Sequence, residues 1–179
     1  INNMSHKDVF IHTLQVIDNA AELTDKMEVR FSALVHDIAK PQTKKFYKDK
    51  GWTYHGHEIV GINLMKKLSK RMKLSKELTS YLCMMIKLHL RPISLAKKGV
   101  TDSAVRRVMV EAGEHIDDLM ILCRSDITTK NPKKVKQYLN NFKRVEELVS
   151  DVKLRDELRS FQSPVKGEVI MKTMKLKPG

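Results

Sequence analysis

The sequence predicts an all-α fold, a helical bundle of about seven helices with a basic C-terminal helical arm. Three observations carry this. Apolar residues recur at three- and four-residue spacing in nearly every segment, the period of a helix with one buried face. Residues that start or stop helices fall at the ends of these stretches: Ser75, Thr101, Gly113 and Asn131-Pro132. One segment, Thr43 to Tyr54, breaks the period, and no internal repeat is visible.

In order, Asp8 to Leu23 forms the first helix, and Met27 to Ile38 the second, with Pro41 closing it. In Thr43 to Tyr54, Phe46, Tyr47, Trp52 and Tyr54 flank Asp49-Lys50-Gly51, which reads as a long loop or a small hairpin. Helices resume over His57 to Met72 and over Ser75 to Leu90, where Ser75 caps the start and Arg91-Pro92 ends the run. Thr101 caps a helix to about Ala112, stopped by Gly113. Another runs from Glu114 to about Thr129. Asn131-Pro132 then opens a long polar helix to about Phe161, with Pro at its first position.

The chain has 179 residues, which favours one domain plus an appended arm. The expected division is a helical domain over 1–130, a basic helical arm over 131–163 and the start of a further segment over 164–179. With 41% apolar residues, a core forms without staples. Seven Gly and five Pro exclude collagenous and low-complexity classes. No run approaches the ~20 apolar residues of a membrane span. The polar start from Ile1 to Lys7 does not look like a secretory signal. Cys83 and Cys123 sit in apolar periodic stretches, as free buried thiols of a reducing, cytoplasmic setting would.

The net charge of +13 is unevenly spread. Met65 to Lys76 holds six basic residues and no acid, and Lys40 to Lys50 holds five Lys against Asp49. Thr128 to Gly179 holds 13 basic and 6 acidic residues. Each run alone fits a solvated helix face. Together they point to a phosphate-rich polyanion or an anionic surface as partner.

Writing out the apolar stripes is more informative. They run Val9, His12, Val16, Ala20, Leu23 on the first helix and Val29, Ala33, His36 on the second, with Asp37 one residue further round. The others run His57, Val60, Gly61, Leu64, Leu68, then Leu78, Leu82, Met85, His89, and finally Leu119, Leu122, Asp126. A single His on such a stripe is an ordinary hydrogen-bonded core residue. A buried Asp126 needs a partner, either a salt bridge to Arg124 or a metal. Four His and two Asp converging from separate helices would leave an unsatisfied hole in the core unless a cation sits there. Imidazole and carboxylate donors suit Zn, Mn, Fe, Co or Ni, one or two ions, and the absence of thiols disfavours a structural zinc site.

These residues resemble a known pattern. His36-Asp37, preceded by Ala33-Leu34-Val35 and followed by Ile38-Ala39-Lys40, is similar to the His-Asp doublet of the HD metal-dependent phosphohydrolase superfamily. The order His12, His36-Asp37, His57, His89, Asp126 resembles that superfamily's H…HD…H…H…D string, over about residues 5 to 130. A narrower resemblance, to the HD region of the bacterial tRNA nucleotidyltransferase/poly(A) polymerase family, rests on Lys7-Asp8, Phe10, His12 to Val16, His36-Asp37 and Gly56-His57-Glu58. The segment from Ser163-Pro164 to Pro178-Gly179 is similar to the stretch directly after the HD region there. In that family the stretch continues past the Pro-Gly, so a piece of a longer protein is expected. No Asp-x-Asp and no Gly-Gly/Gly-Ser loop is present, and the acid pairs Asp117-Asp118, Glu146-Glu147 and Asp156-Glu157 read as solvated helix faces. Addition of CCA or poly(A) by this chain alone is therefore not expected.

The resemblance implies that His12, His36, Asp37 and Asp126 hold a first divalent cation, with His57 and His89 as the added donors of two-metal members and Asp37 as the bridge. Such a pair clamps a phosphate and activates a water. It implies catalytic parts for Asp37, for Lys40 beside a phosphate oxygen and for His55 near a leaving oxygen. On its own, Lys40 fits better as an ordinary cation at a helix C-terminus, and His55 as a loop residue without a role. Lys66, Lys67, Lys70, Arg71 and Lys73 are the expected RNA contacts, with tRNA as ligand. Three functions fit: a metal-dependent phosphohydrolase or phosphodiesterase in tRNA 3′-end processing, a non-catalytic tRNA-gripping module with a structural metal, and a stand-alone nucleotide phosphohydrolase.

Overall fold

Asp8 starts the first helix, α1 (Val9–Leu23), by accepting hydrogen bonds from the Phe10 and Ile11 amides at 2.8 and 3.2 Å. The computed structural model describes residues 8–96, 100–160, 171, 173 and 174. His6, Lys7 and, but for those last three positions, the segment expected over 164–179 lie outside them. After α1 come α2 (Met27–Val35), α3 (Lys40–Thr43), a hairpin of β1 (Lys45–Tyr47) and β2 (Gly51–Thr53), α4 (His57–Met72) and α5 (Lys76–Leu88). The chain continues through α6 (Arg91–Leu95), α7 (Asp102–Ala112), a 3₁₀ turn (Gly113–His115), α8 (Ile116–Ser125) and α9 (Pro132–Ser160).

The fold is all-α, with nine helices among the described residues rather than about seven. The two extra ones correct the reading of two prolines as terminators. Pro41 and Pro92 instead occupy the first turns of the short helices α3 and α6. A missing N–H costs nothing there, because first-turn amides have no partner within the helix. The long α8 expected from Glu114 opens instead as the 3₁₀ turn and ends at Ser125. Of the loop or hairpin expected over Thr43 to Tyr54, the small hairpin forms, over 45–53, while Thr43 ends α3: Phe46 pairs with Trp52 in register, and their rings lie 5.2 Å apart.

The core is built where α1, α2, α5 and α8 meet. Val16, Ala20, Ala33, Leu82, Met85, Ile86, Leu119 and Leu122 are fully buried there. Leu23, expected on an apolar stripe, is about half exposed at 49%. It is the last residue of α1, at the helix end. α4 lies against α5 so closely that a Cβ on Gly61 would stand 2.8 Å from Ile86 Cγ2. That contact brings the start of α4 and the end of α5 together. α9 lies across α6, α7 and α8, burying Phe142, Val145 and Val152. Arg106 holds Asp156 at 2.8 Å, and Arg124 and Arg155 pair with Glu146 and Asp102. No described helix is long and apolar enough to cross a membrane.

Candidate metal centre

The six predicted donor residues come together in one place. His12 arrives from α1, and His57 is the first residue of α4, introduced by Gly56 in a left-handed conformation (φ 76°). His36, His89 and Asp126 are each the C-terminal cap of a helix, α2, α5 and α8 respectively. Asp37 comes directly after His36. Three helix C-termini, each carrying the partial negative charge of its aligned carbonyls, therefore point at one volume.

Asp37 divides the cluster in two. Its Oδ2 faces His12 Nε2 at 3.4 Å and His36 Nε2 at 3.1 Å, and its Oδ1 faces His57 Nε2 at 3.4 Å and His89 Nε2 at 3.7 Å. Asp126 Oδ1 lies 3.0 Å from His12 Nε2 and 3.7 Å from His36 Nε2. The result is two triads, His12/His36/Asp126 and Asp37/His57/His89, each with its donor atoms within 4.8 Å of one another.

Backbone carbonyls decide which ring nitrogens face inward. Nδ1 of His36, His57 and His89 lies 2.8, 2.8 and 2.7 Å from the carbonyl oxygens of Ala33, Tyr54 and Ile86. A carbonyl can only accept, so each Nδ1 carries the proton and, in the neutral ring, each Nε2 is a bare lone pair. His12 Nδ1 is engaged by the Thr128 hydroxyl at 3.0 Å. Nε2 of His57 and of His89 then face each other at 3.3 Å. Two lone pairs at that distance repel unless positive charge stands beside them. His12 Nε2, His36 Nε2 and Asp37 Oδ1 are likewise buried without a hydrogen-bond partner. Orphaned acceptors of this number are what a divalent cation resolves and what an ordinary core does not tolerate.

The electrostatics agree. Burial opposes charge on His36, but the carboxylates of Asp126 and Asp37 outweigh it and push its pKa up to about 10. His12 is raised by its contacts with Asp126 and Asp37. His57 is raised by Asp37 against the cost of burial. Burial opposes ionisation of Asp37 and Asp126, yet the surrounding imidazoles hold both well below the usual carboxylate range. His89 is lowered to about 4 by burial and the charge of His36. The centre draws in positive charge, and a metal ion competes with protons for the same nitrogens.

Lys40, expected beside a phosphate, directs its amino group onto Asp37 Oδ2 and lies 5.7 Å from the Tyr54 ring centroid. His55 is exposed in the turn before α4. Lys66, Lys67, Lys70, Arg71 and Lys73 are all exposed along the second half of α4 and its cap, from about 14 to about 24 Å from His57 at 1.5 Å per residue. The cluster is split. Lys66, Lys70 and Lys73 line a cleft shared with Lys76, Thr79 and Ser80, whereas Lys67 and Arg71 do not.

Several supporting residues carried no sequence signal. Thr128 orients His12. Asn19 Nδ2 donates to the Ser125 carbonyl at 2.7 Å, tying the chain around Asp126 to α1. The Cys123 thiol donates to the His89 carbonyl at 3.0 Å, and both cysteines are free. Arg124 bonds Glu146 rather than Asp126. Asp118, read as solvated, is buried at 6% exposure. It accepts from Tyr81 Oη at 3.1 Å and from Lys26 Nζ at 2.8 Å, while the His115 ring stacks edge-on against Tyr81.

Comparison with known proteins places the same segment in a known family. The chain is 39% identical to the multifunctional CCA protein of Hahella chejuensis over 79 residues, covering 42% of this chain and 18% of that protein. It is 31% identical to the multifunctional CCA protein of Vibrio campbellii over 123 residues, covering 66% of this chain and 29% of that protein. The corresponding protein of Psychromonas ingrahamii is 34% identical over 94 residues, 52% of this chain and 21% of that protein. The chain thus spans less than a third of the length of these relatives. The profile of the HD domain matches residues 9–131, from the start of α1 to the residue before α9, so it takes in every donor described above. By that match over well more than half its length, the chain belongs to the HD domain family of the metal-dependent phosphohydrolase superfamily.

Proposed function

We propose that this domain hydrolyses phosphate esters at RNA ends, with tRNA 3′-end processing as its setting in the cytoplasm. The observation that carries the reading is the pair of donor triads meeting at Asp37, with bare Nε2 atoms turned inward. His12, His36 and Asp126 would hold one divalent transition metal, and Asp37, His57 and His89 a second, with Asp37 reaching both. The nitrogen-and-oxygen donor set suits Mn, Fe, Co, Ni or Zn. Such ions polarise a phosphate and lower the pKa of a bound water. The protein's part is to hold its donors rigid: the Ala33, Tyr54 and Ile86 carbonyls fix the imidazoles before any ligand arrives. Lys40, once Asp37 is claimed by a cation, has an amino group available for a phosphate oxygen, and His55 stands on the exposed side as a donor to the leaving oxygen.

The tRNA setting rests on the net charge of +13, on the CCA relatives and on the resemblance to the CCA-adding family. Lys66, Lys70 and Lys73, with Lys67 and Arg71 on the neighbouring face, would contact the RNA backbone while its end lies at the metal centre. Binding of this kind weakens with salt by about 0.7–0.9 log units per log of salt for each phosphate neutralised.

The test is elemental analysis of protein prepared without chelator, then hydrolysis of phosphomonoesters and nucleoside cyclic phosphates. One to two metal equivalents and metal-dependent turnover are expected, both lost in His36→Ala and Asp37→Ala. Metal retained with no turnover on any ester would leave the tRNA-gripping module with a structural metal as the function instead.

A further inference from the structure

We infer that the cavity beside Asp126 is a nucleobase pocket that makes the centre selective for nucleotides over other phosphate esters. The inference rests on the phosphohydrolase reading above. Of the six donor side chains, five are at most 11% exposed, whereas Asp126 is 23% exposed. The candidate centre is therefore most open at Asp126, and the cavity lies on that side, with Asp126 in its wall. A phosphate on the metal centre would carry its organic group towards it.

The cavity measures about 230 Å³. This is below the ~300–1,000 Å³ typical of sites for drug-sized ligands, and suits one planar ring system. Ile93 and Ile127 provide apolar walls, and Phe142 closes the floor at 5% exposure. Tyr138 and Asn141 stand at i and i+3 on α9, so both project over the same face. Tyr138 is 42% exposed and offers a ring face for stacking. The Asn141 amide carries a donor and an acceptor, as the edge of a base requires. Among the described residues neither Lys nor Arg lines the cavity, and the charged group there is the Asp126 carboxylate.

The wall formed by Tyr138, Asn141 and Phe142 lies beyond residue 131, outside the segment matched by the HD domain profile. Selectivity for a base would thus be added by α9 to a metal centre that the family shares.

The test is calorimetric binding of adenosine monophosphate and of inorganic phosphate to the manganese-loaded full chain, in wild type, Tyr138→Phe, Tyr138→Ala and Asn141→Ala. The nucleotide should bind wild type about ten-fold more tightly than phosphate, the scale of one base stacked on one aromatic ring. Tyr138→Phe should keep most of that advantage and Tyr138→Ala should lose it, with phosphate affinity unchanged in both. Asn141→Ala should weaken the nucleotide alone. Equal affinity for both ligands in wild type, or parallel loss of both in Tyr138→Ala, would overturn the pocket. Hydrolysis of a generic aryl phosphate reports separately on the phosphohydrolase reading. Its absence beside an intact base advantage sinks that reading and leaves the pocket standing.

Discussion

The two ends of α8 each carry a carboxylate close to histidine, and they differ in kind. Asp118, in the first turn, is buried but satisfied: Tyr81 donates to one oxygen and Lys26 to the other. Asp126, the C-terminal cap about 12 Å further along, meets among the described residues imidazole nitrogens whose protons are committed elsewhere or contested. Burial of an acid beside histidine thus does not by itself mark a metal site. What marks it is the balance of donors and acceptors. Around Asp118 the protein supplies the protons and the positive charge. Around Asp126 and Asp37 it supplies acceptors in excess.

Substituting alanine at each end sharpens that contrast, and the largest effect is expected at Asp126. Asp126→Ala should empty one of the two triads and reduce hydrolysis by about 100- to 1,000-fold, the scale for losing one electrostatic element of a catalytic site. Metal content and initial rates measure this. Normal content in that variant would place the metal, if any, elsewhere. Thr128→Val should weaken metal affinity by about 10- to 100-fold while leaving all six donors in place, because it frees the His12 ring. Competition against a chelating dye reads the change.

Asp118→Ala should do the reverse. It leaves the Tyr81 hydroxyl without its acceptor in a buried site, at a cost of about 1–3 kcal/mol in stability, and metal content should not move. Thermal unfolding with parallel metal analysis tests both halves, and a variant that loses metal as well would break the contrast. The smallest effect is at alkaline pH. Burial and the Asp118 charge raise the Tyr81 pKa above its usual value near 10. The folded state therefore holds this proton more tightly than the unfolded chain. The resulting stability is fully present below about pH 10 and fades as pH rises towards the raised value. Tyr81→Phe should flatten this decline in denaturant titrations.

Much of the candidate centre was legible because helical phase is a geometric rule. His12 with Val16 and Ala20, or His89 with Leu82 and Met85, fall on one line of a helix whatever the tertiary structure. Asp118 was illegible for the converse reason. Its partners Tyr81 and Lys26 stand 37 and 92 positions away, and nothing in the pair Asp117-Asp118 separates the exposed member from the buried one. The carbonyls that fix the imidazoles were also invisible, since every residue type has one. Pro41 and Pro92 misled because a proline is equally at home after a helix and in the first turn of the next. The mutual approach of α4 and α5 at Gly61 showed only as a small residue on a stripe, although a Cβ there would stand 2.8 Å from Ile86 Cγ2 and force one of the two to move.

Three of the six donors cap the last turns of α2, α5 and α8, and the last turn of a helix is the part that opens most readily. A cation held by these residues would act as a clasp on three fraying ends at once. Its removal should be felt first as faster amide hydrogen exchange at His36, His89 and Asp126, whose N–H groups bond Ser32, Met85 and Leu122. The interior around Leu82 and Leu119 would keep its slow exchange. Loss of metal would then read as local melting at the helix ends, well before the bundle itself gives way.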